Sequence, residues 1–237
     1  KDDWDKVRKL RVLDFLDDSL SSGKIKHVGF SSHTEIDTFV DILDAYPKWE
    51  VVLTQMNYLD EYYQTGVMGL DELKRLNIGS MIMEPLRGGR LVQNIPPEVQ
   101  KLWNSAEVKR TPVEWALEYL WNRDDVDCVL SGMNSLEQVR QNIQIASDVK
   151  EISEHDHDLI REVARTYKTL TGNDCTCCGY CMPCPEDVDI INCFKEYNIG
   201  KMLNNPKGSA LQYFTLIDDD CRADSCINCG ESEFVCP

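Results

Sequence analysis

Residues 51–83 read VVLTQMNYLDEYYQTGVMGLDELKRLNIGSMIM, and this stretch decides the fold. Its two ends, 51–56 and 79–83, are short apolar runs without polar alternation, which is typical of strands covered on both faces. Residues 66–76 between them are predicted to form a helix. A strand, a helix and a second strand in this order predict two parallel strands joined by a crossover helix.

The same alternation continues on both sides of this unit. Further strands are predicted at 25–30 and 127–131, and further helices at 4–20, 35–45, 97–103, from 111 onward, 135–147, 154–170 and 188–203. Strands that recur about every 26 residues fit a (β/α)8 TIM barrel, but a full barrel takes roughly 250 residues. The sequence therefore predicts an α/β fold, the C-terminal half of a barrel, with two strand edges left unpaired.

Two cysteine runs follow, and each ends in Cys-Pro. The first run is Cys175, Cys178, Cys181 and Cys184, and the second is Cys226, Cys229 and Cys236. Thiolates at the spacing of the first run can surround one face of an iron–sulfur cluster. We predict a half barrel at 1–152, a bridging helix and linker at 153–173, and a small α-helical ferredoxin-like domain holding a [4Fe–4S] cluster at 174–237.

Disulfides and zinc are the alternatives for these cysteines. The first run is too tight to pair internally without strain, and most of the eleven cysteines lie near the carboxyl end. Two Cys-x-x-Cys pairs would make one tetrahedral zinc site but would leave several cysteines without a role. Cys128 and Cys193 are expected to be ordinary buried thiols.

Composition limits the partners and the compartment. A formal net charge of −16 argues against a nucleic-acid partner, because phosphates would be repelled. No apolar stretch approaches the roughly 20 residues of a membrane span, and no signal peptide is visible, although the chain begins at Lys1 without a methionine. Abundant unpaired cysteines predict a reducing, cytoplasmic and oxygen-poor setting.

Several motifs at the ends of the predicted strands carry a family resemblance. They are residues 29–33 (GFSSH), 54–58 (TQMNY), 83–89 (MEPLRGG) and 131–142 (SGMNSLEQVRQN), followed by 175–185 (CTCCGYCMPCP). In this order they resemble the C-terminal half of an aldo/keto reductase, in the branch that carries a C-terminal ferredoxin domain. The resemblance implies a nicotinamide-dependent carbonyl reductase, with NADP(H) or NAD(H) as cofactor and a small carbonyl or hydroxyl compound as substrate.

The resemblance also implies roles for particular residues. No position matches the family's catalytic tetrad of Asp, Tyr, Lys and His, so no catalytic residue is assigned, and His27, His33 and Tyr58 are not put in those roles. The contacts to the nicotinamide amide would be Ser31, Ser32 and Gln55, and the pocket for the adenine-side phosphate would be Gly132, Ser135, Gln138 and Asn142. Ser32 with Glu35, and Ser135 with Gln138, also read as helix capping boxes, a role that is compatible with binding an anion.

The second cluster site is incomplete in sequence. In two-cluster ferredoxins the fourth cysteine of each run ligates the other cluster. The first cluster would then take Cys236 with the first three cysteines of run one, and the second would take Cys184, Cys226 and Cys229. The remaining ligand is expected at position 232, which is Ser232. The second site could use the Ser232 oxygen, recruit Cys221 or Cys177 instead, hold a three-iron cluster, or stay empty.

Three functions therefore compete. In the first, the protein is part of an oxidoreductase that moves electrons between a [4Fe–4S] centre and a nicotinamide or carbonyl site, with an electron-transfer protein as a possible partner. In the second, it is a non-enzymatic electron carrier on a half-barrel scaffold. In the third, it is a structural zinc module. The polypeptide alone is expected to lack reductase activity because the tetrad is absent.

Overall fold

The computed structural model describes residues 2–175 and 177–236. Its sheet contains four parallel strands in the order β1 (Gly29–Ser31), β2 (Val51–Gln55), β3 (Gly79–Met83) and β4 (Cys128–Val129). The α/β class and the parallel sheet are confirmed. β2 and β3 match the predicted runs, whereas β1 begins later than predicted and β4 is shorter. Both short strands lie at the edges of this sheet.

Helices connect and follow the strands. They are α1 (Asp2–Lys9), α2 (Val12–Ser21), α3 (Ile36–Ala45), α4 (Gly66–Leu76), α5 (Pro97–Ser105), α6 (Pro112–Trp121), α7 (Leu136–Ser147), α8 (Glu154–Thr169), α9 (Ile190–Met202), α10 (Pro206–Leu216) and α11 (Glu231–Val235), with 3₁₀ turns at Asp219–Cys221 and Ala223–Ser225. The α4 bounds coincide with those predicted. None of the helices in the described part of the chain is long and apolar enough to cross a membrane.

The chain divides into two compact units. One comprises the residues up to Leu91 together with Arg110–His157, and the other comprises Val92–Lys109 together with the residues from Asp158 onward. The sheet belongs to the first unit, and both cysteine runs belong to the second. The domain limits drawn from the sequence remain a prediction.

An aromatic cluster fills part of the first unit. Phe30 on β1 packs against Phe39 of α3 and against Trp49, with ring centroids 5.8 and 4.8 Å apart. The indole nitrogen of Trp49 donates to the carbonyl of Ile42 over 2.9 Å, which satisfies its one polar atom. Because Phe39, Ile42 and Trp49 are all buried, the apolar face of α3 is fixed against the sheet.

Helix α6 begins as its sequence predicts. The hydroxyl of Thr111 accepts from the amide of Glu114 over 3.2 Å, and the Glu114 carboxylate accepts from the amide of Thr111 over 2.6 Å. Pro112 occupies the first turn, where its missing N–H costs nothing. The prediction of a capping box at this position is therefore confirmed.

A buried ion network ties α6 to the start of α8. The Arg110 guanidinium donates to Glu118 over 2.7 Å and to Asp156 over 3.2 Å, and a third donation reaches the carbonyl of Glu151 over 2.8 Å. The central carbon of the guanidinium, Cζ, lies 4.5 Å from the centroid of the Trp115 ring. The side chains of the ion pairs are between 1% and 6% exposed, so this network is shielded from water.

Two expectations for the amino-terminal half are wrong. The helix predicted over 4–20 is split into α1 and α2, because Arg11 adopts a left-handed conformation with φ of 56°. The helical spacing of apolar residues over 4–20 included Leu10 and Phe15, which the structure shows to be exposed rather than packed on one helix face. The Ser32 capping box is also absent: the Ser32 hydroxyl lies 2.9 Å from that of Thr34, and the N-cap residue of α3 is Glu35.

The second unit contains a helix that the sequence reading missed. The sequence NNPKG at 204–208 predicts a break after the helix at 188–203. In the structure Asn205 also starts α10, because its side-chain oxygen accepts from the amide of Gly208 over 3.0 Å. Helices α9 and α10 approach closely at Gly200, where an added Cβ would lie 3.1 Å from the Cβ of Ser209. These two helices form a hairpin between the two cysteine runs.

Candidate functional site

The carboxyl ends of the four strands form one edge of the sheet. Because the strands are parallel, Ser31, Gln55 and Met83 end their strands on the same side, and Ser131 follows β4 there. Catalytic and cofactor-binding residues of barrel enzymes lie at this edge. His27 lies before β1 and pairs with Glu50, the residue before β2, over 2.6 Å, so it belongs to the opposite edge.

Ser31 and Ser32 differ in availability. Ser31 is exposed at the end of β1, whereas Ser32 is 2% exposed. The Ser32 amide donates to the carbonyl of Leu53 over 2.9 Å, and its hydroxyl is engaged with Thr34. Of the two serines assigned by resemblance, Ser31 therefore presents the freer hydroxyl, and Ser32 serves the local structure.

A polar cluster centred on Asp60, which the sequence analysis did not anticipate, engages Gln55. Asp60 accepts from the side-chain amides of Gln55 and Asn57 over 3.3 and 3.0 Å and pairs with Arg87 over 3.2 Å. Asn57 is fully buried, donates to the carbonyl of Glu84, and accepts from the amide of Asp60. The Gln55 amide thus has a protein partner, and Asp60 holds the loops after β2 and β3 together.

The turn after β3 has an unusual backbone. Glu84 and Arg87 have φ of 56° and 51°, and Gly88 and Gly89 have φ of 62° and 83°. The amide of Arg87 donates to the carbonyl of Glu84, which supports the interpretation of Gly88-Gly89 as a turn. The sequence places Glu84 three residues before Arg87 and suggests an ion pair between them, but Arg87 pairs instead with Asp60 across the loop.

The residues assigned to the phosphate pocket come together at the start of α7. The Ser135 hydroxyl accepts from the amide of Gln138 over 3.2 Å, and the Gln138 side chain accepts from the amide of Asn134 over 2.9 Å. Asn142 is 9% exposed and donates to the hydroxyl of Ser131 over 2.7 Å. A Cβ on Gly132 would meet nothing within 4 Å, so the space beside this residue is open.

The entry to the first cysteine run is fixed by Asn198 of α9. Its side-chain oxygen accepts from the amides of Gly172 and Asn173, each over 3.0 Å, and its nitrogen donates to the carbonyl of Asn173 over 3.1 Å. The Asn173 side chain in turn accepts from the amide of Cys175 over 3.0 Å. Because Asn198 is only 8% exposed, this network sets where the run begins.

Cys175, Cys178 and Cys181 of the first run lie within electrostatic reach of one another. Burial raises the pKa of the Cys181 thiol, and Cys175, Cys178 and Cys236 each raise it further. These are the four residues predicted for the first cluster. Burial likewise raises the pKa of Cys177, with Cys175 and Cys178 as neighbours. All eleven cysteines are free thiols, so the disulfide alternative finds no support.

The thiols are nevertheless not gathered into a closed site. Among residues 2–175 and 177–236 no group of three or more His, Cys, Asp or Glu side chains stands ready to hold a metal ion. In the second run, Cys226, Cys229 and Cys236 are exposed, and the amide of Asn228 donates to the Cys226 sulfur over 3.4 Å. Cys128 is also exposed, so its expected burial is wrong, because β4 forms the edge of the sheet.

Comparison with known proteins supplies a family. A model of the aldo/keto reductase family matches residues 2–165. Two structures of aldo-keto reductase AKR11C1 from Bacillus halodurans are similar to the chain, with 20% sequence identity and a TM-score of 0.52. Each match covers 62% of the present chain. The match covers 53% of the holo form and 54% of the apo form, so the chain spans about half the length of these relatives. No curated protein matches the chain.

Proposed function

Because the chain belongs to the aldo/keto reductase family, we propose that it is part of an oxidoreductase with two chemical regions. The edge of the sheet binds NADP(H) or NAD(H) beside a small carbonyl or hydroxyl substrate, and the cysteine region holds a [4Fe–4S] cluster that exchanges electrons with that site. When bound, the nicotinamide supplies hydride transfer and the cluster supplies one-electron transfer. The protein that exchanges electrons with the cluster is a further partner of unknown identity.

One observation carries the iron–sulfur part of the proposal. Beyond the effect of burial, Cys175, Cys178 and the distant Cys236 all lie close enough to raise the pKa of the Cys181 thiol, although Cys236 is more than fifty residues away in sequence. Four thiols from these positions match the donor set of a cubic cluster, in which the last cysteine of one run joins the first three of the other. Cys175, Cys178, Cys181 and Cys236 are therefore proposed as the ligands of the first cluster.

The second cluster is proposed with only three cysteine ligands. Cys184, Cys226 and Cys229 supply three thiols, and Ser232 occupies the fourth position. Cys221 is a poor substitute, because burial and the surrounding acidic residues, Asp218 first, raise the pKa of its thiol and oppose the thiolate form. The hydrogen bond from the Asn228 amide to the Cys226 sulfur is of the kind that tunes cluster potentials.

The nicotinamide site is proposed at the carboxyl edge of the sheet. Ser31 and Gln55 orient the amide of the nicotinamide, Ser32 supports the loop that carries Ser31, and Asp60 fixes the rotamer of Gln55. The phosphate pocket comprises Gly132, Ser135, Gln138 and Asn142. The open space at Gly132 lets a ligand approach the backbone, and the first turn of α7 offers its amides to an anion.

No residue of this chain takes a catalytic role. Tyr58 is buried and packs edge-on against Tyr119 with ring centroids 6.3 Å apart, which is a structural position. We therefore propose that the 237-residue polypeptide by itself binds a cluster without turning over carbonyl substrates. Measurable carbonyl reduction by the isolated polypeptide would contradict this assignment.

The decisive test is anaerobic reconstitution of the polypeptide with iron and sulfide. One cluster predicts about four irons and four acid-labile sulfides per chain, and reduction should produce a paramagnetic signal. Cys181→Ser should lose most of the bound iron, whereas the matched control Cys128→Ser should retain it, because Cys128 is exposed on β4 and lies outside both runs. Zinc without sulfide would favour the structural module instead.

A second measurement separates the oxidoreductase from the simple electron carrier. The reconstituted polypeptide is titrated with NADPH and NADH, and binding is followed by nicotinamide fluorescence. The oxidoreductase proposal expects binding that weakens in Gln55→Ala and Asn142→Ala. Reversible reduction of the cluster with no nucleotide binding would support the carrier.

A further inference from the structure

A cavity of about 530 Å³ lies in the helical hairpin between the two cysteine runs. Its walls are built by α9 and α10 and include the aromatic side chains Phe194, Tyr197, Tyr213 and Phe214. A volume between roughly 300 and 1,000 Å³ is typical of sites for small organic molecules. Neither the cysteine runs predicted to hold clusters nor the strand ends at the nicotinamide site contribute to this lining.

One oxygen of Glu196 and the hydroxyl of Ser209, both in the lining, are buried without hydrogen-bond partners among the described residues. Glu196 is 7% exposed and Ser209 is 5% exposed. The Glu196 Oε2 atom and the Ser209 hydroxyl have no hydrogen-bond partner within the part of the chain that the structure describes. An unpartnered buried carboxylate is costly, and a ligand that donates hydrogen bonds or carries positive charge would offset that cost.

The lysine in the lining, Lys201, forms no described ion pair with this carboxylate. Lys201 is exposed, and its ammonium lies 5.6 Å from the centroid of Tyr197, with no ion pair to Glu196 among the residues described. Aromatic faces attract organic cations, and the attraction grows when the cation leaves water. The walls and the buried carboxylate therefore favour the same kind of ligand.

From these observations we propose that the cavity binds a small organic cation, an ammonium carried on an apolar or aromatic body. The ammonium donates to Glu196 and to the Ser209 hydroxyl, and the body packs against Tyr213 and Phe214. A neutral alcohol of the same shape offers one donor and no charge, so it binds more weakly. This inference does not depend on the proposed oxidoreductase function.

The experiment uses the full polypeptide and three probes of matched shape: 2-phenylethylammonium, 2-phenylethanol and propylbenzene. Affinities are measured by protein-observed NMR or calorimetry. The ammonium is expected to bind at least tenfold more tightly than the alcohol. Glu196→Gln should weaken the ammonium by about 10- to 100-fold, since charge-assisted hydrogen bonds are lost, and should leave the alcohol unchanged.

The matched control is Glu162→Gln, which removes an exposed carboxylate from α8. It should leave the affinity for the ammonium unchanged. Ser209→Ala should weaken the ammonium less than Glu196→Gln does. Equal binding of ammonium and alcohol to the unaltered protein, or absence of ammonium binding, overturns the proposal even if a variant fails to fold. An equal effect of Glu196→Gln and Glu162→Gln overturns it as well, because the ammonium would then be held by the apolar walls and net charge only.

Discussion

Replacing Arg110 by methionine tests whether the buried ion network stabilises the first unit. Methionine is an apolar side chain of similar length. The substitution removes the guanidinium, which donates hydrogen bonds to Glu118, Asp156 and the carbonyl of Glu151 over 2.7, 3.2 and 2.8 Å. The Glu118 and Asp156 side chains, 1% and 6% exposed, would then be two buried carboxylates without a cation. Stranding a buried charge in this way costs about 3–5 kcal/mol.

The loss is measured by urea unfolding at neutral pH, followed by far-ultraviolet circular dichroism. With a slope of about 2–3 kcal/mol per molar urea, the midpoint for Arg110→Met should fall by about 1–2 M. The matched control is Arg75→Met. Its pair with Glu72 has side chains 59% and 31% exposed and should contribute no more than about 1 kcal/mol.

A triple variant distinguishes stranded charge from lost packing. Arg110→Met combined with Glu118→Gln and Asp156→Asn leaves no unpaired charge and keeps the oxygens that accept from the amides of Lys150 and Ser153. It should recover much of the lost stability. Equal midpoints for Arg110→Met and Arg75→Met would refute the reasoning, and a triple variant no more stable than Arg110→Met would show that lost packing was the cause.

Four further predictions concern single residues. Thr111→Ala should cost about 1 kcal/mol of unfolding free energy, as loss of an N-cap does. Although burial alone would raise the pKa of Glu114, its hydrogen bonds to Thr111 lower this pKa below its usual value. The stability that Glu114 contributes should therefore be fully present above its unfolded-state pKa and should be lost as the pH falls through its folded-state pKa. Urea unfolding measured at a series of pH values from 7 to 3 would reveal this loss. Gly29→Ala should lower the free energy of unfolding by about 1–3 kcal/mol, because the added Cβ would lie 2.3 Å from the Val51 carbonyl oxygen. Gly132→Ala, where the added Cβ meets no atom within 4 Å, should leave the free energy of unfolding unchanged and weaken only nucleotide binding. Asn198→Ala should lower iron incorporation more than it lowers thermal stability, and unchanged iron content would contradict its role in placing the first cysteine run.

The strands were predictable because burial on both faces leaves a continuous apolar run. Val52 and Ile82 are fully buried, and the positions that alternate with them in β2 and β3 are half-buried rather than exposed, so both faces of these strands are at least partly covered. The start of α6 was predictable for a similar reason, since the Thr111 cap acts over three residues. Features set by contacts within one strand or one turn can thus be read from sequence.

Other features depend on contacts between distant segments and gave weaker signals. Asp60 follows β2 without any local pattern, and its importance arises from Arg87, which lies 27 residues further along the chain. The split at Arg11 depends on a backbone conformation that an apolar period does not encode. Helix α10 was different, because Asn205 followed by Pro206 is a helix-start signal that was interpreted only as a break.

The two chemical regions proposed for the chain differ in what organises them. At the sheet edge, Gln55, Asn57 and Asp60 are already held by one another and by strands on both sides, so a nucleotide would meet a prepared surface. In the last run, Phe234 is 92% exposed and α11 has no buried residue, so packing contributes little to its position. When ligands are thiolates from such segments, binding a metal supplies the free energy that orders them. Cluster assembly is therefore expected to fold the last run, whereas nucleotide binding should leave the sheet edge nearly unchanged.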